Sequence, residues 1–183
     1  RNNCTQCARL DKSGRIISTS TKRAFKCISN PTCQSSNLIY CITCTLCNLQ
    51  YVGQTKRRIS SRWNNHASTI RTQKDLPVPN HMVAHGRSAD PPVLIHILEY
   101  IKLPPETQKS QHLRDTRELA WIANLNTLVP HGLNLQDWSL SLSHYHAATQ
   151  WWSEHLMCFF DSFPVSIIWV SIDLPSIRFR FFW

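Results

Sequence analysis

Seven of the eight cysteines lie between Cys4 and Cys47, and this crowding restricts the chain more than any other feature. Cysteines at such density cross-link a small fold, through either disulfides or a bound metal. Several of them are separated by only two residues and stand among Lys and Arg, and nothing in the sequence marks secretion. Metal binding in a reducing compartment is therefore the better interpretation, with a disulfide scaffold as the alternative.

Positive charge is concentrated in the first part of the chain. Residues 1–75 contain 13 Lys and Arg against 2 Asp and Glu, whereas residues 76–183 contain 7 against 9. This asymmetry is typical of a protein that binds a polyanionic partner, most often nucleic acid. A basic surface that is merely solvated is the alternative. With 42% hydrophobic residues in 183 positions, the chain can bury one core, which excludes wholesale disorder.

The two ends of the chain carry weaker signals. The chain begins at Arg1 without an initiator Met, so we expect a fragment. The longest uncharged apolar stretch near the end, residues 162–172, is shorter than the roughly 20 residues that a bilayer needs. Residues 138–183 hold five of the seven Trp and six of the seven Phe, yet show no Lys and no clear period. We expect this aromatic-rich tail to lie outside the domain, so that a chain ending near Asp137 folds and functions; packing of the tail on the core is the alternative.

Residues 37–137 carry clear secondary-structure signals, unlike the basic segment 1–36, which shows little periodicity. Residues rich in β-branched and aromatic side chains predict strands over 37–43, 49–53 and 92–101, the first two joined by a turn at 45–48. Helices are predicted over 56–71 and 111–128, which contain no Pro or Gly. Pro77 and Pro79 are predicted to break the chain. The order β-β-α-β-α predicts an α+β domain, with a small antiparallel sheet flanked by helices.

Glu118 is the most informative residue of the second predicted helix. It shares one helical face with Trp121 and Ile122. A carboxylate on an apolar stripe is costly to bury without a partner, so it lies at the edge of a cleft or holds a cation. A surface ion pair with Arg114 or Arg117 is the alternative.

Arg62 and His66 are four residues apart and so share a face of the first predicted helix. A guanidinium there can clamp a phosphate in a planar fork, and an imidazole can hold or pass a proton near neutral pH. Tyr40 and Tyr51 fall on adjacent predicted strands, where two phenols either converge on a cleft or pack in the core. An exposed cationic helix face is the alternative for Arg62 and His66. Whichever applies to those two residues, we expect the neighbouring Lys56, Arg57 and Arg58 to form such a cationic face and to grip a DNA backbone.

A second group of residues has the spacing of metal ligands. Cys44 and Cys47 bracket the predicted turn, and His81 and His85 stand four residues apart. Together they offer two sulfurs and two nitrogens for tetrahedral Zn²⁺. The long interval between the two pairs indicates a structural clip rather than a DNA-reading finger. A second metal site, free thiols or a truncated upstream element remain open for the four cysteines of the basic segment 1–36: Cys4, Cys7, Cys27 and Cys33.

The ordered set of these residues resembles the GIY-YIG endonucleases. The matching pattern is Asn37-Leu-Ile-Tyr40, then Tyr51-Val-Gly53, then Arg62 and His66, then Glu118 and Asn134. Residues 33–55 and 117–134 are similar in particular to the endonuclease domain of Penelope-like retroelements, and the resemblance covers roughly residues 4–137. It departs from the family pattern at two positions: Leu38 replaces the Gly of the family name, as is common in this branch, and Gln54 replaces a residue that is often charged.

The resemblance implies a metal-dependent DNA endonuclease that hydrolyses phosphodiester bonds. It assigns Tyr40 as the general base or the group that orients the water, with Tyr51 in support. Glu118 would hold one Mg²⁺ or Mn²⁺ beside the scissile phosphate. Gly53 would allow a turn or a close approach at the end of its strand, and Asn134 would tie the last loop towards the site; a helix stop is the alternative for Asn134.

The Penelope-like resemblance also implies a biological setting. It implies nicking of target DNA for retroelement integration, linkage to a reverse transcriptase, a nuclear location, and structural zinc at the cysteine and histidine pairs. A non-catalytic zinc- and nucleic-acid-binding remnant is the alternative function. A cellular repair or recombination nuclease is disfavoured by the cysteine-rich hairpin. All five positions of the implied catalytic set are intact, which favours the enzyme.

Overall fold

The computed structural model describes residues 5–86 and 91–135, so Cys4 and the aromatic-rich tail lie outside the described residues. None of the described helices is long and apolar enough to cross a bilayer. The elements follow one another in this order: a short 3-10 helix (Thr5–Arg9), β1 (Ser13–Ile17), β2 (Ala24–Ser29), β3 (Leu38–Cys44), β4 (Gln50–Thr55), α1 (Ile59–Arg71), α2 (Pro77–Ala84), β5 (Val93–Tyr100) and α3 (Gln108–Leu125).

β3 is the central strand of a three-stranded antiparallel sheet with the order β4-β3-β5, and β1 and β2 form a separate hairpin. Side chains of a strand alternate between the two faces of its sheet. Tyr40 and Ile42 accordingly enter an apolar cluster with residues of α1 and α2. Ile39 and Cys41 enter a second cluster with Trp121 of α3 and residues of the β1–β2 hairpin. Both faces of β3 are therefore covered.

The predicted α+β class, a small antiparallel sheet flanked by helices, is confirmed. Three features were not predicted, namely the 3-10 helix Thr5–Arg9, the β1–β2 hairpin in the basic segment and the helix α2. Pro77 and Pro79 do not break the chain as predicted, because Pro77 is the first residue of α2 and both prolines lie in its first turn. Backbone N–H groups of a first turn have no partner within the helix, so proline is tolerated there.

Helix boundaries differ from the predictions because side chains define the ends. α1 begins at Ile59 rather than at residue 56, since the hydroxyl of Thr55 accepts a hydrogen bond from the amide of Arg57 and holds that segment in a turn. α3 begins three residues early, at Gln108, because the hydroxyl of Thr107 caps it. It also ends at Leu125 rather than at residue 128, because the next residue, Asn126, adopts a left-handed backbone conformation. The Thr107 cap satisfies a backbone N–H group that a helix start leaves unpaired, whereas α1 has no side-chain cap.

Candidate active site and metal-ligand cluster

Tyr40 lies at the centre of a polar cluster on the face of the sheet that α1 covers. Its side chain is completely buried. The Oη atom lies 2.8 Å from Nε2 of His66 and accepts a hydrogen bond of 2.8 Å from Nε of Arg62. Both partners come from α1, where a spacing of four residues puts them on one side of the helix. One turn of helix therefore holds the phenol through two hydrogen bonds.

Gly53 provides the room that this phenol needs. It stands opposite Tyr40 in the β3–β4 ladder. A Cβ at Gly53 would lie 2.6 Å from Oη of Tyr40 and 2.9 Å from Cε1 of Tyr51, which is closer than van der Waals contact allows. The predicted close approach is present, but the prediction that Gly53 ends its strand is wrong, because β4 continues to Thr55. Any side chain at this position would displace one of the two phenols.

Tyr51 and Glu118 complete the cluster. The Tyr51 ring meets His66 edge-on, with 5.9 Å between the ring centroids. Glu118 reaches the cluster from α3, close enough for its charge to act on the pKa values of Tyr40, Tyr51 and Arg62. The structure thus brings the five residues of the implied catalytic set into one place, although they come from four separate elements. We refer to these five as the polar cluster.

The alternative for Glu118, an ion pair with Arg114 or Arg117, is wrong. Arg117 instead pairs with Glu99, with 2.6 Å between Nη2 and Oε2. The Arg114 side chain is 2% exposed and is held by hydrogen bonds to uncharged partners, which include Asn37. The carboxylate of Glu118 therefore remains available to the polar cluster.

Burial determines the protonation of the cluster. It raises the pKa of Tyr40 and of Tyr51, against the opposing charge of Arg62, so both phenols are neutral at pH 7. It also raises the pKa of Glu118, while a hydrogen bond from Gln54 lowers it. Burial, reinforced by the charge of Arg62, lowers the pKa of His66 to about 3. His66 is therefore a neutral imidazole at pH 7, and a neutral imidazole can accept a hydrogen bond from a neighbour.

Asn134 fastens a loop to the outer edge of β4. Its Oδ1 accepts a hydrogen bond from the amide of Val52 at 2.9 Å, and its Nδ2 donates to the carbonyl of Val52 at 2.9 Å. These bonds satisfy a strand edge that would otherwise be unpaired. Because Val52 stands between Tyr51 and Gly53, the loop steadies the part of β4 that faces Tyr40. The helix-stop alternative for Asn134 does not apply, since α3 has already ended.

Gln54 and Arg114 are the residues around the site that sequence reasoning missed. Oε1 of Gln54 accepts a hydrogen bond of 3.2 Å from Nε of Arg114, and Nε2 donates to Asp115. Gln54 also lies close enough to Glu118 to lower the pKa of this carboxylate, so it stands between Glu118 and the buried guanidinium. One signal was present in the sequence: Arg114 lies four residues before Glu118, on the same stripe as Trp121, which indicates a buried position.

The three predicted DNA-gripping residues, Lys56, Arg57 and Arg58, are exposed immediately before α1. Nζ of Lys56 lies 2.7 Å from a carboxylate oxygen of Glu106, at a surface position where such a pair contributes little. A backbone phosphate can therefore reach all three side chains from solvent.

The four predicted zinc ligands also come together. The ligand atoms of Cys44, Cys47, His81 and His85 all lie within 4.8 Å of one another, and Sγ of Cys47 is 3.3 Å from Nε2 of His81. Ligands of a tetrahedral zinc are roughly 3.3–3.8 Å apart, given bonds of about 2.0–2.3 Å. The end of β3 and the following turn supply the thiols, while α2 supplies the imidazole of His81 and its C-cap residue supplies that of His85. This cysteine–histidine cluster therefore fits zinc in both donor chemistry and spacing.

The N-terminal cysteines form no comparable group among the described residues. Cys33 is buried in the apolar cluster beneath α1, with Cys7 packed against it, whereas Cys27 packs against the cluster beneath α3. Across residues 5–86 and 91–135, no other three Cys, His, Asp or Glu side chains lie close enough to share a metal. A second site would need ligands from outside the described residues, such as Cys4.

Comparisons with known proteins give few matches. No family model matches the sequence, and no curated protein matches it. Among solved structures, the chain is similar to a variant of the catalytic domain of intron endonuclease I-TevI, with 28% identity, a TM-score of 0.43 and coverage of 54% of this chain and 92% of that one. It is similar to the catalytic domain of homing endonuclease I-TevI with 25% identity, a TM-score of 0.41 and coverage of 54% and 97%. The function is therefore inferred from the residues of this chain.

Proposed function

We propose that this chain is a metal-dependent DNA endonuclease of the GIY-YIG type. The observation that carries the proposal is the polar cluster, in which four elements converge on the buried Tyr40 phenol and its bonds to Arg62 and His66. Buried polar groups stabilise a fold less than apolar ones of the same size, so a fold retains such a group where chemistry needs it. The matching family pattern in the sequence supports the same conclusion.

The hydrogen bonds around Tyr40 define a path for a proton. Arg62 can only donate, so the proton of the phenol is left to bond Nε2 of the neutral His66. As Tyr40 takes a proton from the attacking water, it passes its own proton to His66, and the phenol stays neutral throughout. The path replaces a buried phenolate by a transient imidazolium at His66, whose formation burial and the charge of Arg62 also oppose.

The remaining members of the cluster act on the phosphate. The guanidinium of Arg62 can bond non-bridging oxygens as negative charge develops on them. Glu118 offers the hard carboxylate oxygen that Mg²⁺ and Mn²⁺ prefer, and such an ion would neutralise charge on the phosphate and the leaving oxygen. The water oxygen forms a bond to phosphorus, and the bond from phosphorus to the 3′ oxygen breaks. The 3′ oxygen takes up a proton, which leaves a 3′-hydroxyl and a 5′-phosphate.

We extend the proposal to the setting that the sequence resemblance implies. A 3′-hydroxyl is the end from which a reverse transcriptase primes, as integration of a Penelope-like retroelement requires. In this proposal the chain is part of a larger protein that contains the reverse transcriptase, acts in the nucleus and binds structural zinc. The geometry of the cysteine–histidine cluster and the exposed basic residues before α1 support this setting.

Nicking of a supercoiled plasmid tests the proposal. With Mg²⁺ or Mn²⁺, the wild type should nick the plasmid, and Glu118→Gln should reduce the rate by at least about 10³-fold while DNA affinity stays nearly unchanged. Glu106→Gln is the matched control, because Glu106 is exposed and forms its ion pair with Lys56, outside the polar cluster. A wild type that binds DNA but never nicks it would favour the non-catalytic remnant. Equal rates for the wild type and Glu118→Gln would remove Glu118 from the site.

A further inference from the structure

A cavity of about 130 Å³ opens beside the polar cluster. Tyr51, Arg62 and His66 form one wall, and residues 76–79, which lead into and begin α2, form the opposite wall. Because the proposed mechanism places the reacting phosphate at Arg62, the cavity lies where the nucleotide next to that phosphate would be. None of the steps proposed above uses it.

The lining of the cavity suits a nucleic acid base. The wall formed by residues 76–79 has only apolar side chains, since it consists of Leu76, two prolines and a valine. The Leu76 side chain is 48% exposed and lies at the rim of the cavity. Asn65 and Thr69 of α1 supply polar groups between the walls. Apolar surfaces flanking a few polar groups match a base, which has two flat faces and a hydrogen-bonding edge.

Asn65 is placed to read that edge. Within the part of the chain that the structure describes, its amide makes no hydrogen bond, so its donors and acceptor are available. An asparagine amide can bond an adenine edge through two hydrogen bonds. The Thr69 hydroxyl donates to the carbonyl of His66 at 2.9 Å and retains lone pairs to accept from a ligand.

The size of the cavity limits what enters it. A volume of about 130 Å³ is well below the 300–1,000 Å³ of a pocket for a whole drug-sized ligand. It admits one ring system, while the sugar and phosphate stay outside near Arg62. A base can enter only after leaving the stack of the duplex, which costs free energy unless the base is already unpaired.

We infer that this cavity receives one unstacked base of the nucleotide next to the scissile phosphate, and that DNA unpaired at that position is therefore the preferred substrate. The inference rests on the proposed nuclease function and adds the class of substrate. It also assigns a role to the cysteine–histidine cluster, because α2 begins with the cavity wall, carries His81 and is followed directly by His85. Metal binding at that cluster would position the wall.

The first experiment compares cutting rates on oligonucleotide duplexes. The cut is mapped on a fully paired duplex, and a single mismatch is then placed on either side of it. The wild type should cut about tenfold faster with the mismatch on one side only, because unpairing has already occurred there. Asn65→Ala should lose this preference. Asn64→Ala should keep it, because Asn64 lies on the other flank of α1, where it accepts a hydrogen bond of 3.0 Å from Gln6.

The second experiment measures base unstacking without cutting. 2-Aminopurine fluoresces more strongly when unstacked, so a duplex with this base next to the cut should brighten when the Glu118→Gln variant binds it. Adding Leu76→Asp, which places a charge in the apolar wall at a half-exposed position, should suppress the signal. Nicking without a pairing preference or a fluorescence change would overturn the inference and leave the nuclease standing. A fluorescence change without nicking would overturn the nuclease and leave the cavity standing.

Discussion

The β3–β4 hairpin carries two clusters, and the two are built in opposite ways. At the turn, the cysteine–histidine cluster gathers soft ligands, one of which, Cys47, is exposed. Along the strands, the polar cluster gathers hydrogen-bonding groups around a phenol that is completely buried. A metal bound at the first would join the turn to the end of α2, whereas the second is held by the fold itself. Substitution of a metal ligand at the turn should therefore destabilise the fold. Substitution of a polar-cluster residue along the strands should instead slow the cutting of DNA.

Among substitutions that keep the charge of the polar cluster, Arg62→Lys should give the largest effect on cutting. A lysine keeps the charge but loses both the fork and the Nε that bonds Tyr40 at 2.8 Å. We expect the nicking rate to fall by about 10²–10³-fold while the zinc content stays the same. Arg71→Lys, in the exposed last turn of the same helix, should cut normally. Single-turnover nicking rates provide the measurement, and a full rate for Arg62→Lys would show that Arg62 belongs only to the basic face.

His85→Ala should give the largest effect on stability. It removes one of four ligands, and the free energy of metal binding is free energy of folding at such a site. We expect the loss of zinc and a loss of several kcal/mol in the free energy of unfolding, on the order of a buried ionic contact or more. His131→Ala, at an exposed position outside the cluster, should change neither. Elemental analysis with thermal melting decides the outcome, and an equally stable, metal-free wild type would contradict the zinc assignment.

The two clusters also differ in how far the sequence could predict them. The cysteine–histidine cluster consists of two pairs of residues that are close in sequence, so the spacing within each pair predicts that its two ligands lie close together. Only the contact between the two pairs depends on the fold. Each member of the polar cluster has an ordinary structural alternative, and no local spacing joins Glu118 to Tyr40. Only the resemblance to a family pattern linked them. Contacts between distant elements depend on the packing of the whole sheet, which periodicity does not express.

The same limit explains what sequence reasoning missed around the site. The central strand and both long helices were predicted because their apolar and β-branched patterns are strong. α2 was missed because a proline signals a break unless its position in the first turn is known. Gln54 and Arg114 were missed because a buried hydrogen-bond network becomes visible only once its partners are placed.

Gly53→Ala should affect the polar cluster and leave the cysteine–histidine cluster intact, although both share the hairpin. The added Cβ would lie 2.6 Å from Oη of Tyr40, so the phenol must move away from Arg62 and His66. We expect a loss of about 1–3 kcal/mol of stability, as for other overpacked sites, and at least about tenfold slower nicking. Unchanged zinc content would show that the damage is local. Wild-type cutting by the variant would show that the close approach at Gly53 has no role.

The pH dependence of stability tests the neutral state of His66. Its pKa falls from 6.5 to about 3 on folding, so the unfolded chain takes up this proton first as the pH drops. The contribution to stability is complete above pH 6.5 and is lost progressively towards pH 3. The stability difference between the wild type and His66→Gln should shrink over that range by a few kcal/mol. Acid release of zinc affects both proteins alike and cancels. A constant difference would contradict the lowered pKa.

Arg57→Ala should give the smallest effect, and it separates grip from chemistry. Arg57 is exposed just before α1 and is expected to contact a DNA phosphate only as a point charge. Its loss should weaken binding without sequence preference and reduce the slope of log affinity against log salt by about one unit. Arg57→Lys is the matched control, because it keeps the charge and should restore both slope and cutting. Binding titrations at several salt concentrations measure the slope. An arginine-to-lysine change should then be harmless at residue 57 and damaging at residue 62, because of these two residues only Arg62 is proposed to use the planar fork of its guanidinium. Equal effects at the two positions would remove that distinction.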